Sequence, residues 1–159
     1  MVAELTWVHD MIRRDLRTVR QMAADAAAGG AAGQIQAGIG SLAASSPLWQ
    51  LKVGCLHYCR FVHSHHHAES VLLFPALRRA NPALNSVVDK LEADHASVSD
   101  LLGEVETAAR ELSGVEGPAA RTRLIDALHK LSADRLAHLQ YEEDHISDAL
   151  RTWSDWPYG

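Results

Sequence analysis

Four histidines, His9, His65, His95 and His138, stand on four different segments of the chain, and two are followed four positions later by an acid, Glu69 and Glu142. Residues i and i+4 of a helix project from one face about one turn apart, so each pair offers an imidazole nitrogen and carboxylate oxygens to one point. That is the chemistry of a metal clamp. Imidazole with carboxylate suits iron, manganese or zinc, and a carboxylate can bridge two cations by giving one oxygen to each. Glu69 and Glu142 are the natural bridges and the four histidines the terminal ligands, with a water, hydroxo or oxo group as a third bridge.

A lone histidine on an apolar face is more often a hydrogen-bonded core residue than a ligand. Here four apolar stripes are interrupted together, two of them also by carboxylates, and burying unpaired carboxylates is costly. The conjunction therefore points to a metal site. Within "HSHHHAES" (63 to 70) the helical register selects His65, because a shift by one would pair His66 with Ser70 in place of Glu69. His63, His66 and His67 are then assigned to solvated or inter-helix positions.

Helical periodicity defines the elements that must carry these residues. Segments at about 4–28, 48–74, 82–112 and 118–153 are predicted helices, and Gly, Pro and Ser punctuate the chain between them. Their inward stripes run through Leu5, His9, Ile12 and Leu16; through Leu51, Cys55, Tyr58, Val62, His65, Glu69 and Leu72; through Val88, Leu91, His95 and Val98; and through Leu128, Leu131, His138 and Glu142. Four amphipathic helices give an all-α, up-down-up-down four-helix bundle, a single domain over residues 1–159. The stretch from Gly29 to Ser46 has Ala and Gln content that could support a further short helix. At about 1.5 Å per residue His65 and His138 lie in the second halves of parallel helices and His9 and His95 in the first halves of the others, so all can meet at one level.

Composition narrows the partners. A formal net charge of −5 and a pI near 6.0 leave no basic surface for phosphates or anionic lipid heads, so nucleic acid and membranes are not expected partners. The N-terminus lacks the features of a signal peptide and no apolar run reaches membrane-spanning length, which gives a cytoplasmic expectation. Cys55 and Cys59, one turn apart, read as two buried thiols.

The pieces "WVHDMIRRDL", "HHHAESVLLFPAL", "LEADHASVSDLL" and "LAHLQYEEDHI", in this order over nearly the whole chain, resemble the hemerythrin-like (HHE cation-binding domain) proteins. The resemblance implies a bundle around a non-haem di-iron centre, two iron ions with an oxo or hydroxo bridge, that binds or senses dioxygen. An oxidoreductase acting on peroxide or nitric oxide is the alternative, and an iron or zinc storage or interaction module a further one. Carried over by position, His9, His65 with Glu69, His95, and His138 with Glu142 match the family's ligands.

The chain departs from the family pattern at two positions. Oxygen-carrying members have a second histidine four residues before the one matched by His95, where this chain has Leu91, and their last acid falls at the position of Glu143 rather than Glu142. Six protein ligands then remain, with either an open iron position or a neighbour such as Tyr58 or His145 filling it. An open iron favours oxidation chemistry over reversible storage. Around the site Val62, Leu72, Leu91 and Val98 are expected to form a dry wall and Tyr58 and Cys55 to pack the core. Asp10 is either an acceptor behind His9 or an acid placed by the helix dipole.

Overall fold

The computed structural model describes residues 1–28, 47–112 and 118–156, and all regular structure among them is helical. Helix α1 (Val2–Ala28) buries Leu5, His9, Ile12, Leu16, Val19 and Ala23, the stripe expected from spacings of three and four. Helix α2 (Pro47–Ala68) begins on a proline, whose missing N–H is no loss in a first turn. The chain then makes a π-helical turn (Glu69–Leu73) and continues as α3 (Phe74–Ala80). After a 3₁₀ turn (Pro82–Leu84), α4 (Asn85–Glu111) and α5 (Pro118–Arg151) complete the bundle. The Asn81 side chain caps the 3₁₀ turn by accepting from the Ala83 N–H at 3.2 Å.

The π turn corrects the expectation that this segment keeps a uniform α register to residue 74. Pro75 has no N–H for the Val71 carbonyl and its ring would crowd that turn, so the chain widens there instead of breaking. One extra residue in the turn rotates the side chains that come after it. Leu72, expected on the inner wall, is 39% exposed, whereas Leu73 is fully buried.

Helix α1 packs on α2 and α5, and α4 packs on the same two, which is the ring of neighbours an up-down bundle requires. Its interior has two apolar clusters. One contains Ile12, Leu16, Val62, Val98, Leu102, Leu131 and Leu139; the other contains Leu5, Leu73, Phe74, Leu77, Val88, Leu91, Ile146 and Leu150. Each such side chain contributes about 1.5–3 kcal/mol when fully buried. His9, between Leu5 and Ile12, and His95, between Leu91 and Val98, lie where the clusters meet. The polar residues thus form a layer between two dry ends.

Trp153 and Trp156 pack on the second cluster, and Trp156 Nε1 donates to Glu4 Oε2 at 3.1 Å, so the C-terminal segment covers that end of the bundle. The stretch from Gly29 to Ser46, where a short helix was expected, lies outside the described residues. No helix among the described residues is long and apolar enough to cross a membrane.

Candidate metal centre

Each bundle helix delivers its share of one buried polar layer. His9 Nε2 stands 3.4 Å from Glu142 Oε2 and 3.8 Å from Glu69 Oε1; His65 Nε2 is 2.9 Å from Glu69 Oε1; His95 Nε2 is 3.2 Å from Glu69 Oε2; and His138 Nε2 is 3.7 Å from Glu142 Oε2. All six expected ligands come together. His65 is the least enclosed, at 11% side-chain exposure. Despite this proximity, the four Nε2 atoms and all four carboxylate oxygens lack an aligned hydrogen bond. Buried polar atoms are nearly always partnered, so a set converging on one space without mutual hydrogen bonds fits a cation better than it fits a protein network.

The potential ligand atoms separate into two groups, one of His9, His65 and Glu69 and one of His66, Glu69, His95 and His138, with the atoms of each group within 4.8 Å of one another. Glu69 belongs to both. Glu142 also reaches both, through His9 and His138. This is the arrangement two cations with two shared carboxylates would need.

Electrostatics separates the two acids. Burial works to raise Glu69, but the imidazoles of His65, His9 and His95 outweigh it and hold the carboxyl well below its ordinary value. Glu142 is pushed well above it by burial and by the charge of Glu69, with Arg135 opposing. Of the two acids, Glu142 is therefore the one that takes up a proton first as pH falls. Burial, with the Arg135 charge and His95 adding to it, lowers His138 to about 2, and burial lowers His65 as well. Neutral imidazoles are the form that donates a lone pair to a metal.

Outer partners orient the rings. His9 Nδ1 donates to Glu143 Oε1 at 2.8 Å, and Arg13 donates to both oxygens of Glu143 at 2.8 and 3.0 Å. Burial pushes Glu143 upward, yet Arg13 and His9 hold it below the usual carboxylate range. The acceptor behind His9 is thus Glu143; Asp10 is exposed and pairs with Arg13 at 3.3 Å. Glu142, fully buried, faces the layer, and Glu143 faces away from it. His95 Nδ1 is hydrogen-bonded to Ser70 Oγ at 3.0 Å; His138 Nδ1 makes no hydrogen bond among the described residues, its nearest carboxylate being Asp94 Oδ2 at 3.7 Å. A histidine bound at Nε2 and held at Nδ1 has its tautomer and tilt fixed.

Two further buried residues join the layer beyond those expected from the sequence. His66, assigned to solvent or an inter-helix position, is buried and stacks on His95 with centroids 3.9 Å apart and planes 11° off parallel. The spacing Cys59, Val62, His66, Glu69 is as regular a helical stripe as the one through His65, so α2 turns a face two residues wide inward. Arg135, at 0% exposure, donates through Nη1 to His66 Nε2. It lies on the stripe Leu128, Leu131, Arg135, His138, Glu142, where its spacing could have revealed it.

Other neighbours stay outside the layer. Leu91 is fully buried in the second apolar cluster. His145 is exposed, bonded to the Tyr141 carbonyl, and takes no part in the layer. His63 pairs with Glu106 at 3.0 Å, and His67 is exposed. Tyr58, Cys55 and Cys59 are buried among apolar side chains of the first cluster, and burial raises all three to about 12.

A family model described as hemerythrin HHE cation binding domain matches residues 1–150. No curated protein and no solved structure matches the chain.

Proposed function

The chain belongs to the hemerythrin HHE cation-binding domain family, and on that premise we propose that it forms one domain over residues 1–159 whose core holds a non-haem di-iron centre that binds or senses dioxygen in the cytoplasm. The observation that carries this reading is the sharing of Glu69 between two ligand groups whose inward atoms have no other partner. His9 and His65 would hold one ion, His95 and His138 the other, and Glu69 and Glu142 would bridge them. Both metals would have imidazole and carboxylate ligands, a set suited to iron. Six protein ligands leave positions for a small exogenous molecule.

Iron, when bound, supplies reversible one-electron chemistry and a position for a small oxidant. The chain's own residues supply the enclosure. Leu91, Val98 and Val62, each at most 1% exposed, keep bulk water away, while Glu143 and Ser70 hold the His9 and His95 rings in place. A cation needs the ionised Glu142 carboxylate, whose pKa burial and Glu69 raise, so metal uptake would be coupled to loss of that proton as pH falls toward the raised value.

A second reading, an oxidoreductase acting on peroxide or nitric oxide, is favoured by the buried Arg135 guanidinium. Charge and hydrogen-bond donors beside a centre serve turnover better than reversible storage does. Optical spectra of iron-loaded protein in air separate the readings. A band that forms with dioxygen and disappears under vacuum supports binding, a transient response with rapid loss of added peroxide supports turnover, and no response leaves an iron or zinc store or interaction module.

A further inference from the structure

The proposed iron ligands leave one buried charge unused. Arg135 lies three residues before His138 and seven before Glu142, hence on the inner face of α5. Its Nη1 donates to His66 Nε2, while Nε and Nη2, also buried, have no hydrogen-bond partner. Burial works against its charge; Tyr58, Glu69 and Glu142 are the groups that favour it. A guanidinium stays protonated in proteins, and an ion without a partner is among the most costly groups to bury.

Glu69 and Glu142 are not free to serve as that partner if they bridge metals. Two carboxylates do not neutralise two divalent or trivalent cations plus a guanidinium, so the layer carries an excess of positive charge. The Tyr58 hydroxyl, buried beside Arg135, interacts with the guanidinium and favours its charge. His66 Nε2, facing a guanidinium N–H, acts as the acceptor that positions Arg135, and the stacking of His66 on His95 ties that position to the ligand layer.

We propose that Arg135 is a specificity-determining residue that raises the affinity of the oxidised centre for small inorganic anions and leaves that of the reduced centre for neutral diatomic molecules unchanged, with Tyr58 beside it and His66 as its positioning acceptor. The proposal rests on the two-iron reading above. An anion hydrogen-bonded to the guanidinium would supply a counter-charge, and a charge-assisted bond in a water-poor layer is stronger than any the same donor makes to an uncharged ligand.

Wild-type protein, Arg135→Met, Arg135→Gln and Arg135→Lys, each assayed for iron, would be titrated with azide in the ferric state and with nitric oxide in the ferrous state. Azide affinity is expected to fall about ten- to a hundredfold in the Met and Gln variants, the loss of a hydrogen bond to a charged group. Lys should retain most of it, and nitric oxide affinity should change little throughout. Metal-free Arg135→Met should also melt below metal-free wild type, because without a cation the buried Glu69 carboxylate loses the guanidinium that opposes its charge. Equal azide affinity in wild type and the neutral variants, equal losses for azide and nitric oxide, or loss of iron from the neutral variants would overturn the proposal and leave the two-iron reading standing. A wild-type chain that takes up no iron overturns both.

Discussion

Glu143 Oε1 lies 2.8 Å from His9 Nδ1, so the acid next in sequence to a proposed metal bridge holds the ring of a ligand from another helix. With Nδ1 occupied, His9 presents only Nε2 to the layer. Glu143→Ala should therefore weaken metal binding about 10–100-fold, as removal of such an outer partner does. Competition with a chelator of known affinity measures this, and circular dichroism should show the helices intact. Unchanged affinity would mean that packing alone orients His9.

Metal affinity should rise with pH. Glu142 is held above its ordinary value in the fold, chiefly by burial and next by Glu69. A group raised in this way favours the metal-free fold below the ordinary carboxylate value, and that contribution is lost as pH rises through the raised one. Cation binding requires the ionised form, so the stabilisation by metal should grow over the same interval. Thermal melting of loaded and metal-free protein across mildly acidic to neutral pH reads the difference. A constant gap would contradict the assignment of Glu142 as the protonated partner.

The π turn makes a prediction for adjacent leucines. Leu73→Ala should cost about 2–5 kcal/mol, because it empties a buried site. Leu72→Ala, at a partly exposed position, should stay within about 0.5 kcal/mol of wild type. Urea denaturation of the two variants decides it. A larger loss for Leu72→Ala than for Leu73→Ala would contradict the placement of Leu73 in the core.

Cys55 and Cys59 should resist alkylation in the native protein at neutral pH and react only on unfolding. Both are fully buried, burial raises each thiol to about 12, and the thiolate is the reactive form. Labelling that proceeds faster than global unfolding would show a local opening of α2.

The features that periodicity controls are readable from the sequence. Four stripes of apolar residues define the bundle, and a histidine in each defines its polar layer, because side-chain direction in a regular helix depends on position alone. Leu72 shows where that reasoning ends: Pro75 changes the local helix type, and the wider turn carries Leu72 away from the inner face. His66 escapes a reading that traces a single inward stripe along α2, because the helix meets its neighbours over a wider face. Arg135 sits among leucines on the inward stripe of α5, but an inward arginine contradicts the usual cost of burial and has a rationale only beside a polar layer. Glu143 depends on a ring from α1, a relation between residues 134 positions apart that no local pattern encodes.

Glu69 is the residue on which the two-metal account depends, since among the described residues it alone belongs to both ligand groups. Elemental analysis of wild type and Glu69→Ala after loading with ferrous iron tests it most directly. The account gives about two irons per chain in wild type, as for bundle cores that pair carboxylates with histidines, and loss of both from the variant. A single zinc per chain in wild type, with metal content unchanged in Glu69→Ala, would contradict it.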